Sequence, residues 1–201
     1  MKRKTIIQSS LFIVAALWAV GVGVGLKILG DYSNTPGATA SSPTQWPKST
    51  QLSLQKEQAT LIMFAHPHCF CTRASLTELE HIMQKAKNNT AAWIVFLQPQ
   101  GVEQGWEKTE SWQMAQRIPN AMVITDTGGV EAARFGALTS GYTLLYNSEG
   151  KLIFSGGITL ARGHAGDNAG ERRVLSLLET GQADQHSHSV FGCPLHEGVS
   201  R

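Results

Sequence analysis

The chain has 201 residues and a formal net charge of +2, so it can hold one ordinary domain with additional segments. Its 17 basic and 15 acidic residues leave no basic surface of the kind that nucleic acids require, which excludes a nucleic-acid partner. Three cysteines are present, and their chemistry depends on the compartment in which the chain functions.

The first predicted element is an apolar helix over residues 1–30. It begins with the basic sequence MKRK, and no charged residue occurs from Thr5 to Leu26. These positions reach about 33 Å as a helix, which matches a bilayer core of roughly 30 Å. Since the apolar segment of a signal peptide is normally shorter, we predict an uncleaved anchor. The chain is then a single-pass cell-membrane protein whose C-terminal domain is extracytoplasmic, and periplasmic in a Gram-negative cell.

Three further regions follow the anchor. Residues 31–51 are rich in Ser, Thr, Pro, Gly and Ala and have no hydrophobic period, which predicts a flexible linker. Residues 52–182 carry apolar runs and periodic helical patterns, and we predict one folded domain there. Residues 183–201 form a tail that contains His and Cys.

The folded domain is predicted to be α/β. Its apolar runs and periodic segments give the order β-α-β-α-β-α-β-β-α, with helices over 105–117 and 171–179 and a final hairpin in YTLLYNSEGKLIFSGG. Early strands separated by helices pair in parallel, whereas the hairpin is antiparallel. A mixed central sheet with helices on both faces follows.

The sequence HPHCFCTR places Cys69 and Cys71 between a predicted strand and a predicted helix. The N-terminus of a helix stabilises a thiolate, and this predicts a lowered thiol pKa at Cys69. We expect His66, His68 and Arg73 to add positive charge beside it.

A second stretch carries a motif: Asp126, Gly129, Ala132, Phe135 and Gly136, followed by a hairpin turn over 147–150. Together with the strand and the cysteine pair before a helix, it resembles the thioredoxin-like family, in particular its membrane-anchored, exported members. The resemblance covers about residues 52–180. It implies a thioredoxin-like fold and a thiol–disulfide oxidoreductase that needs no cofactor beyond its cysteines. An exported cysteine-containing protein or a redox partner would be its substrate.

The resemblance also implies roles for single residues. Cys69 matches the attacking cysteine, whereas Thr72 occupies the usual position of the resolving cysteine. Tyr142, or Gly141, stands where the family has a cis-proline, so Tyr142 is expected beside the substrate path. Arg162 and His164 belong to a polar, Gly-rich loop over 156–170 that either approaches the cysteines or leads into the last helix.

The resolving thiol is left open between Cys71 and Cys193. A disulfide between Cys69 and Cys71 would close a very small ring, and its strain would make it easy to reduce, which favours donating disulfides. Cys193, in the tail, can instead pair with either of them, or join them in binding a metal.

A different class of function uses the same residues. Thiolates combined with imidazoles suit soft or borderline ions such as Cu(I). The alternative is therefore a non-enzymatic, copper-binding chaperone in which Cys69, Cys71 and His68 hold the metal.

Overall fold

The computed structural model describes residues 2–38, 41–86 and 90–195. The chain divides into two compact units, the first ending at Thr35 and the second beginning at Pro36. The first unit is helix α1, Lys2–Asn34. Its segment Ser10–Asn34 is long and apolar enough to cross a membrane, which agrees with the apolar helix predicted there.

The second unit contains four helices and six strands in its described part. The predicted order is confirmed, with one short strand added at the end. The elements are β1 Ala59–Ala65, α2 Phe70–Lys85, β2 Thr90–Gln98, α3 Glu110–Ala115, β3 Ala121–Thr127, α4 Val130–Arg134, β4 Tyr142–Tyr146, β5 Leu152–Gly156, α5 Ala169–Thr180 and β6 Ser187–His188.

The strands form one mixed sheet in the order β3-β2-β1-β4-β5-β6. β1, β2 and β3 are parallel to their neighbours in that series, whereas β4 is antiparallel to both β1 and β5. Leu61 and Met63 of β1 pack with α2, α3 and α5, while Ile62 and Phe64 pack with α4 on the opposite face. The predicted sheet with helices on both faces is therefore confirmed.

The Asp126 motif closes β3 and starts α4. The Asp126 carboxylate accepts hydrogen bonds from the backbone N–H groups of Glu131 (2.9 Å) and Ala132 (2.8 Å), which have no partner inside the helix. Gly136 then ends the helical segment with φ at +70°, and a Cβ there would lie 2.5 Å from the carbonyl oxygen of Ser41. The motif therefore has a structural role, which is to cap and terminate α4.

The flexible linker predicted over 31–51 is corrected by the structure. Residues 31–34 continue α1, and residues 36–51 belong to the second unit. The backbone N–H of Trp46 donates to Gly150 O (2.8 Å), and the indole of Trp46 packs edge-on against Phe135. Hydrogen bonds to the β4–β5 hairpin and a partly buried aromatic ring therefore fix this segment without any hydrophobic period.

The tail predicted over 183–201 is also part of this unit as far as Leu195. β6 pairs with β5 in parallel, and Val190 and Leu195 are buried against the face of the sheet that packs on α4. His196 lies outside the described residues. The folded domain thus begins at Pro36 instead of Leu52 and includes the described tail.

Candidate functional site

Cys69 is the N-cap residue of α2 and follows the turn that ends β1. Its backbone is extended, with φ −89° and ψ 123°, and its carbonyl oxygen accepts the N–H of Thr72 (3.0 Å). The Sγ atom therefore lies at the start of a 16-residue helix, where unpaired N–H groups carry partial positive charge. This position stabilises a Cys69 thiolate whenever the sulfur is reduced.

A disulfide joins Cys69 to Cys193, with their Cα atoms 6.1 Å apart. That separation lies within the normal range for disulfides. The bond connects α2 to the tail across 124 positions of sequence. Cys69 is 4% exposed, whereas Cys193 is half-buried.

The structure thus selects one of the pairings that the sequence left open. The small-ring disulfide between Cys69 and Cys71 is not the one formed, and Cys71 is a free thiol. The expectation of an easily reduced bond rested on the strain of that ring. It does not apply to the pair formed with Cys193.

Cys71 lies in the first turn of α2 and is 1% exposed. Its sulfur and those of Cys69 and Cys193 all lie within 4.8 Å of one another. Burial raises the pKa of the Cys71 thiol, and the charge of Arg162 and the N–H of Gly163 offset only part of that effect. Cys71 therefore keeps its proton at neutral pH, beside a disulfide within reach of its sulfur.

Arg162 lies close to the cysteines, which agrees with the expectation that its loop approaches them. It is 5% exposed, and its Nη1 donates to the carbonyl oxygen of Gly192, next to Cys193. His164 is exposed, with its Nδ1 2.8 Å from Arg162 O. The charge of Arg162 lies close enough to lower the pKa of the Cys71 thiol.

Glu78 fixes the position of this loop on α2. Its buried carboxylate accepts the N–H of Gly166 (2.6 Å) and the Nδ2 of Asn168 (3.4 Å), and burial raises the pKa of Glu78. Asn168 is in turn the N-cap of α5 and accepts the N–H of Glu171 (2.8 Å). The loop therefore both approaches the cysteines and begins a helix, which combines the two expectations for it.

The expectation that Tyr142 lies beside a substrate path is corrected. Tyr142 is 4% exposed and packs with Phe64 and Phe135, on the face of the sheet opposite α2. Its hydroxyl lies 3.0 Å from Ser42 Oγ, so the phenol is fully engaged in the core. The reason is the strand register, because Tyr142 pairs with Phe64 and shares its direction.

Ser140 occupies the position beside the disulfide and was missed by sequence reasoning. Its hydroxyl accepts the N–H of His66 (2.9 Å) and lies 2.9 Å from Thr72 Oγ1. Its own N–H donates to Cys193 O (2.8 Å). Ser140 and Thr72 thus connect the loop before β4 with the first turn of α2.

The three basic residues near the cysteines have partners of their own. The His68 ring lies 4.3 Å from the ring of Trp106, and its Nε2 is 3.1 Å from Trp106 O. The Nδ1 of His66 accepts the N–H of His68 (3.2 Å). Arg73 pairs with Glu110 at 3.0 Å, where both side chains are exposed. Its charge is therefore partly neutralised and screened by solvent.

Two exposed apolar side chains lie on the segments that carry the cysteines and Arg162. Phe70 is 57% exposed and Leu160 is 59% exposed. The ring of Phe70 covers Gly163, where a Cβ would lie 2.7 Å from an aromatic carbon. In the sequence, the signal for this exposed apolar surface of Phe70 and Leu160 was the position of Phe70 between the two cysteines.

The sequence matches no protein-family model and no curated protein sequence. Its structure is similar to a hypothetical protein from Sinorhizobium meliloti 1021 at 16% identity and a TM-score of 0.57, over 81% of this chain and 94% of that one. An uncharacterised conserved protein from Geobacillus kaustophilus gives 14% identity and 0.57, over 83% and 94%.

The exposed lipoprotein thioredoxin Etrx1 of Streptococcus pneumoniae strain TIGR4 is a more distant match. It gives 20% identity and a TM-score of 0.45, over 62% of this chain and 85% of that one. Similarity at these identities concerns the fold alone. The second unit of this chain has a thioredoxin-like α/β fold, with a disulfide at the N-terminus of the helix that follows β1.

Proposed function

We propose that the chain is a membrane-anchored, extracytoplasmic thiol–disulfide oxidoreductase whose redox pair is Cys69 and Cys193. The observation that carries this proposal is the disulfide itself, which joins the N-cap cysteine of α2 to the tail of a thioredoxin-like domain. Two thiols carry the two electrons of the reaction, so no further cofactor is required.

The reaction follows from the position of Cys69. In the reduced chain, the Cys69 thiolate attacks one sulfur of a partner disulfide, forming a mixed disulfide and releasing a partner thiolate. The Cys193 thiolate then attacks Cys69 Sγ, which restores the Cys69–Cys193 bond and releases the second partner thiolate. The partner gains two electrons and two protons, and the chain loses them. The same steps in reverse donate a disulfide.

Helix α1 supports the membrane part of the proposal. The segment Ser10–Asn34 has the length and composition of a membrane span, and the basic start of the chain favours a cytoplasmic N-terminus. The residues after it are then exported to a compartment in which disulfides persist. The partner is an exported cysteine-containing protein or an electron carrier that reaches the membrane surface.

A redox titration of the full chain in detergent micelles tests this function. The chain is equilibrated with a reduced cysteine-containing model peptide and with glutathione buffers, and alkylated products are mapped by mass spectrometry. We expect Cys69 and Cys193 to change together from disulfide to thiols as the buffer becomes more reducing, over the range in which the peptide also exchanges. A Cys69–Cys193 bond that stays intact in every buffer in which the peptide exchanges would rule out the oxidoreductase.

A second candidate function, a Cu(I) carrier, is favoured by the sulfur cluster. The three cysteine sulfurs lie within 4.8 Å of one another and, after reduction of the disulfide, suit a soft ion that displaces their protons. Arg162 lies close enough to balance part of the charge of a Cys71 thiolate. The cluster replaces the ligand set expected from sequence, because Cys193 takes the place of His68. The His68 ring contacts Trp106 instead.

Competition titrations of the reduced full chain with Cu(I) and a coloured chelator test the carrier. We expect one Cu(I) per chain, a loss of at least about tenfold in affinity for each of Cys69→Ser, Cys71→Ser and Cys193→Ser, and no change for His68→Ala. Binding that survives Cys193→Ser, or that falls with His68→Ala, contradicts the three-thiolate site.

A further inference from the structure

Residues 190–195, here called the tail segment, run along the loop that precedes β4. The N–H of Ser140 donates to Cys193 O (2.8 Å), and the N–H of Leu195 donates to Leu138 O (2.9 Å). Thr139 and Pro194 form an antiparallel bridge between these two bonds. The tail segment is therefore paired with residues 138–140 as a short additional strand.

The tail segment fits this position closely. A Cβ on Gly192 would lie 1.9 Å from the carbonyl oxygen of Ser140, so no other residue type fits there without displacement. Val190 is completely buried and Leu195 is 3% exposed, both against the core on the α4 face of the sheet. Arg162 adds a hydrogen bond to Gly192 O. Burial, hydrogen bonding and shape all select this segment.

The contacts of residues 138–140 are of a kind that another peptide can reproduce. Backbone N–H and C=O groups carry the pairing, and these groups accept any extended chain in the same register. Side-chain selection comes from the glycine position, from the cysteine opposite Cys69 and from the site filled by Leu195. What distinguishes the tail segment from another peptide is that it belongs to the same chain and is joined to Cys69 by the Cys193 disulfide.

We propose that the tail segment is an internal, disulfide-latched occupant of a peptide-binding edge formed by residues 138–140. A dithiol reductant converts the Cys69–Cys193 bond into two thiols, is itself oxidised to a disulfide, and releases the latch. The edge then accepts an extended segment of a partner that has a small residue before a cysteine and an apolar residue two positions after it. This inference rests on the proposed function, because the partner cysteine is the one that exchanges with Cys69.

Hydrogen–deuterium exchange of the full chain in micelles, before and after reduction, tests the latch. We expect reduction to increase exchange at least about tenfold in peptides covering residues 138–140 and the tail segment, while β1 (Ala59–Ala65) stays protected. A tail segment that remains protected after reduction overturns the latch. If exchange rises in β1 as well, the reduced chain has unfolded globally. The Gly192→Ala variant, measured in the oxidised state, then tests whether the tail segment covers residues 138–140.

Gly192→Ala keeps the disulfide but prevents close approach to Ser140. In the oxidised state it should increase exchange at residues 138–140, whereas Ser189→Ala, an exposed residue just before the tail segment, should not. Equal protection in the two variants overturns the proposal, because the edge would then be closed without the tail segment.

A synthetic peptide with the sequence of residues 187–195, and serine in place of cysteine, tests the edge. Added in excess to the reduced chain, it should restore protection at residues 138–140 and leave the chain's own tail segment unprotected. A scrambled peptide should restore none, and failure of the matched peptide overturns the peptide-binding edge. Because this peptide cannot form a disulfide, the result is independent of whether the chain exchanges thiols with a partner.

Discussion

Cys69→Ser abolishes thiol–disulfide exchange, whereas Cys71→Ser keeps it within about threefold of the wild-type rate. Cys69 is the sulfur at the start of α2, and a serine hydroxyl is not ionised there, so the loss is roughly 10³-fold or more. Cys71 is buried, protonated and outside the disulfide, so its removal leaves the redox pair intact. Stopped-flow exchange of the full chain with a fluorescent disulfide peptide measures both rates.

Cys193→Ser is the matched control for Cys69→Ser, because both variants lose the same disulfide and the same stability. With Cys69 intact and no resolving thiol in the tail, the mixed disulfide between Cys69 and the peptide should accumulate. Mass spectrometry after acid quenching detects it. Accumulation in Cys71→Ser instead would show that Cys71 resolves the intermediate, and would return the redox pair to Cys69 and Cys71.

The strands and the main helices of the domain were predictable because their signals are local. β1 and β2 are mostly apolar on both of their faces, since both faces of the sheet are covered, and α2 repeats its apolar residues every three or four positions. α3 is shorter than predicted, Glu110–Ala115 instead of 105–117. Trp106 lies in the turns before it and packs against His66 and His68, so its apolar signal belonged to a tertiary contact.

The linker and the tail were not predictable because non-local backbone bonds hold them. Leu152 donates to Thr44 O (2.9 Å), and Gly37 donates to Val190 O (2.8 Å), at separations that no sequence period records. β6 has only two residues, and its pairing with β5 uses main-chain groups. A composition of Ser, Thr, Pro and Gly indicates an absence of helix and strand, but it does not indicate mobility.

The same distinction applies to the site. The location of Cys69 at a helix N-terminus follows from a strand, a turn and a helix that are adjacent in sequence, and it was predicted. Its pairing with Cys193 depends on the folded position of the tail, 124 residues away, and was left open. Tyr142 was misplaced because it is the first residue of β4, and its pairing with Phe64 turns its side chain to the face of the sheet opposite α2. Ser140, two positions earlier, lies beside the disulfide.

The pairing changes the expected redox behaviour of the chain. A Cys69–Cys71 disulfide would close a small, strained ring and add little to the stability of the fold, whereas the bond between α2 and the tail restrains most of the second unit. A disulfide that stabilises a fold is, by linkage, itself stabilised by that fold against reduction. The stability of the domain and the potential of the Cys69–Cys193 pair are therefore two measurements of one free energy.

Reduction of the Cys69–Cys193 bond should lower the free energy of unfolding by about 3–5 kcal/mol. The bond closes a loop across 124 positions, and loop-closure entropy of that size gives roughly this value. Since domains are stable by only about 5–15 kcal/mol, this loss is a substantial share of the total stability. Urea unfolding of the full chain in micelles, with and without a dithiol reductant, measures the difference.

The double variant Cys69→Ala, Cys193→Ala should unfold like the reduced wild type and be insensitive to reductant, and Cys71→Ala should keep the full effect of reduction. A difference below about 1 kcal/mol between oxidised and reduced wild type would contradict the loop-entropy argument. By linkage, 3–5 kcal/mol corresponds to a potential about 65–110 mV below that of the same two thiols in the unfolded chain. A measured potential above this range, together with a stability difference of about 3–5 kcal/mol between oxidised and reduced chain, would mean that a third redox form of the chain is populated. Cys71 is the thiol close enough to take part in it.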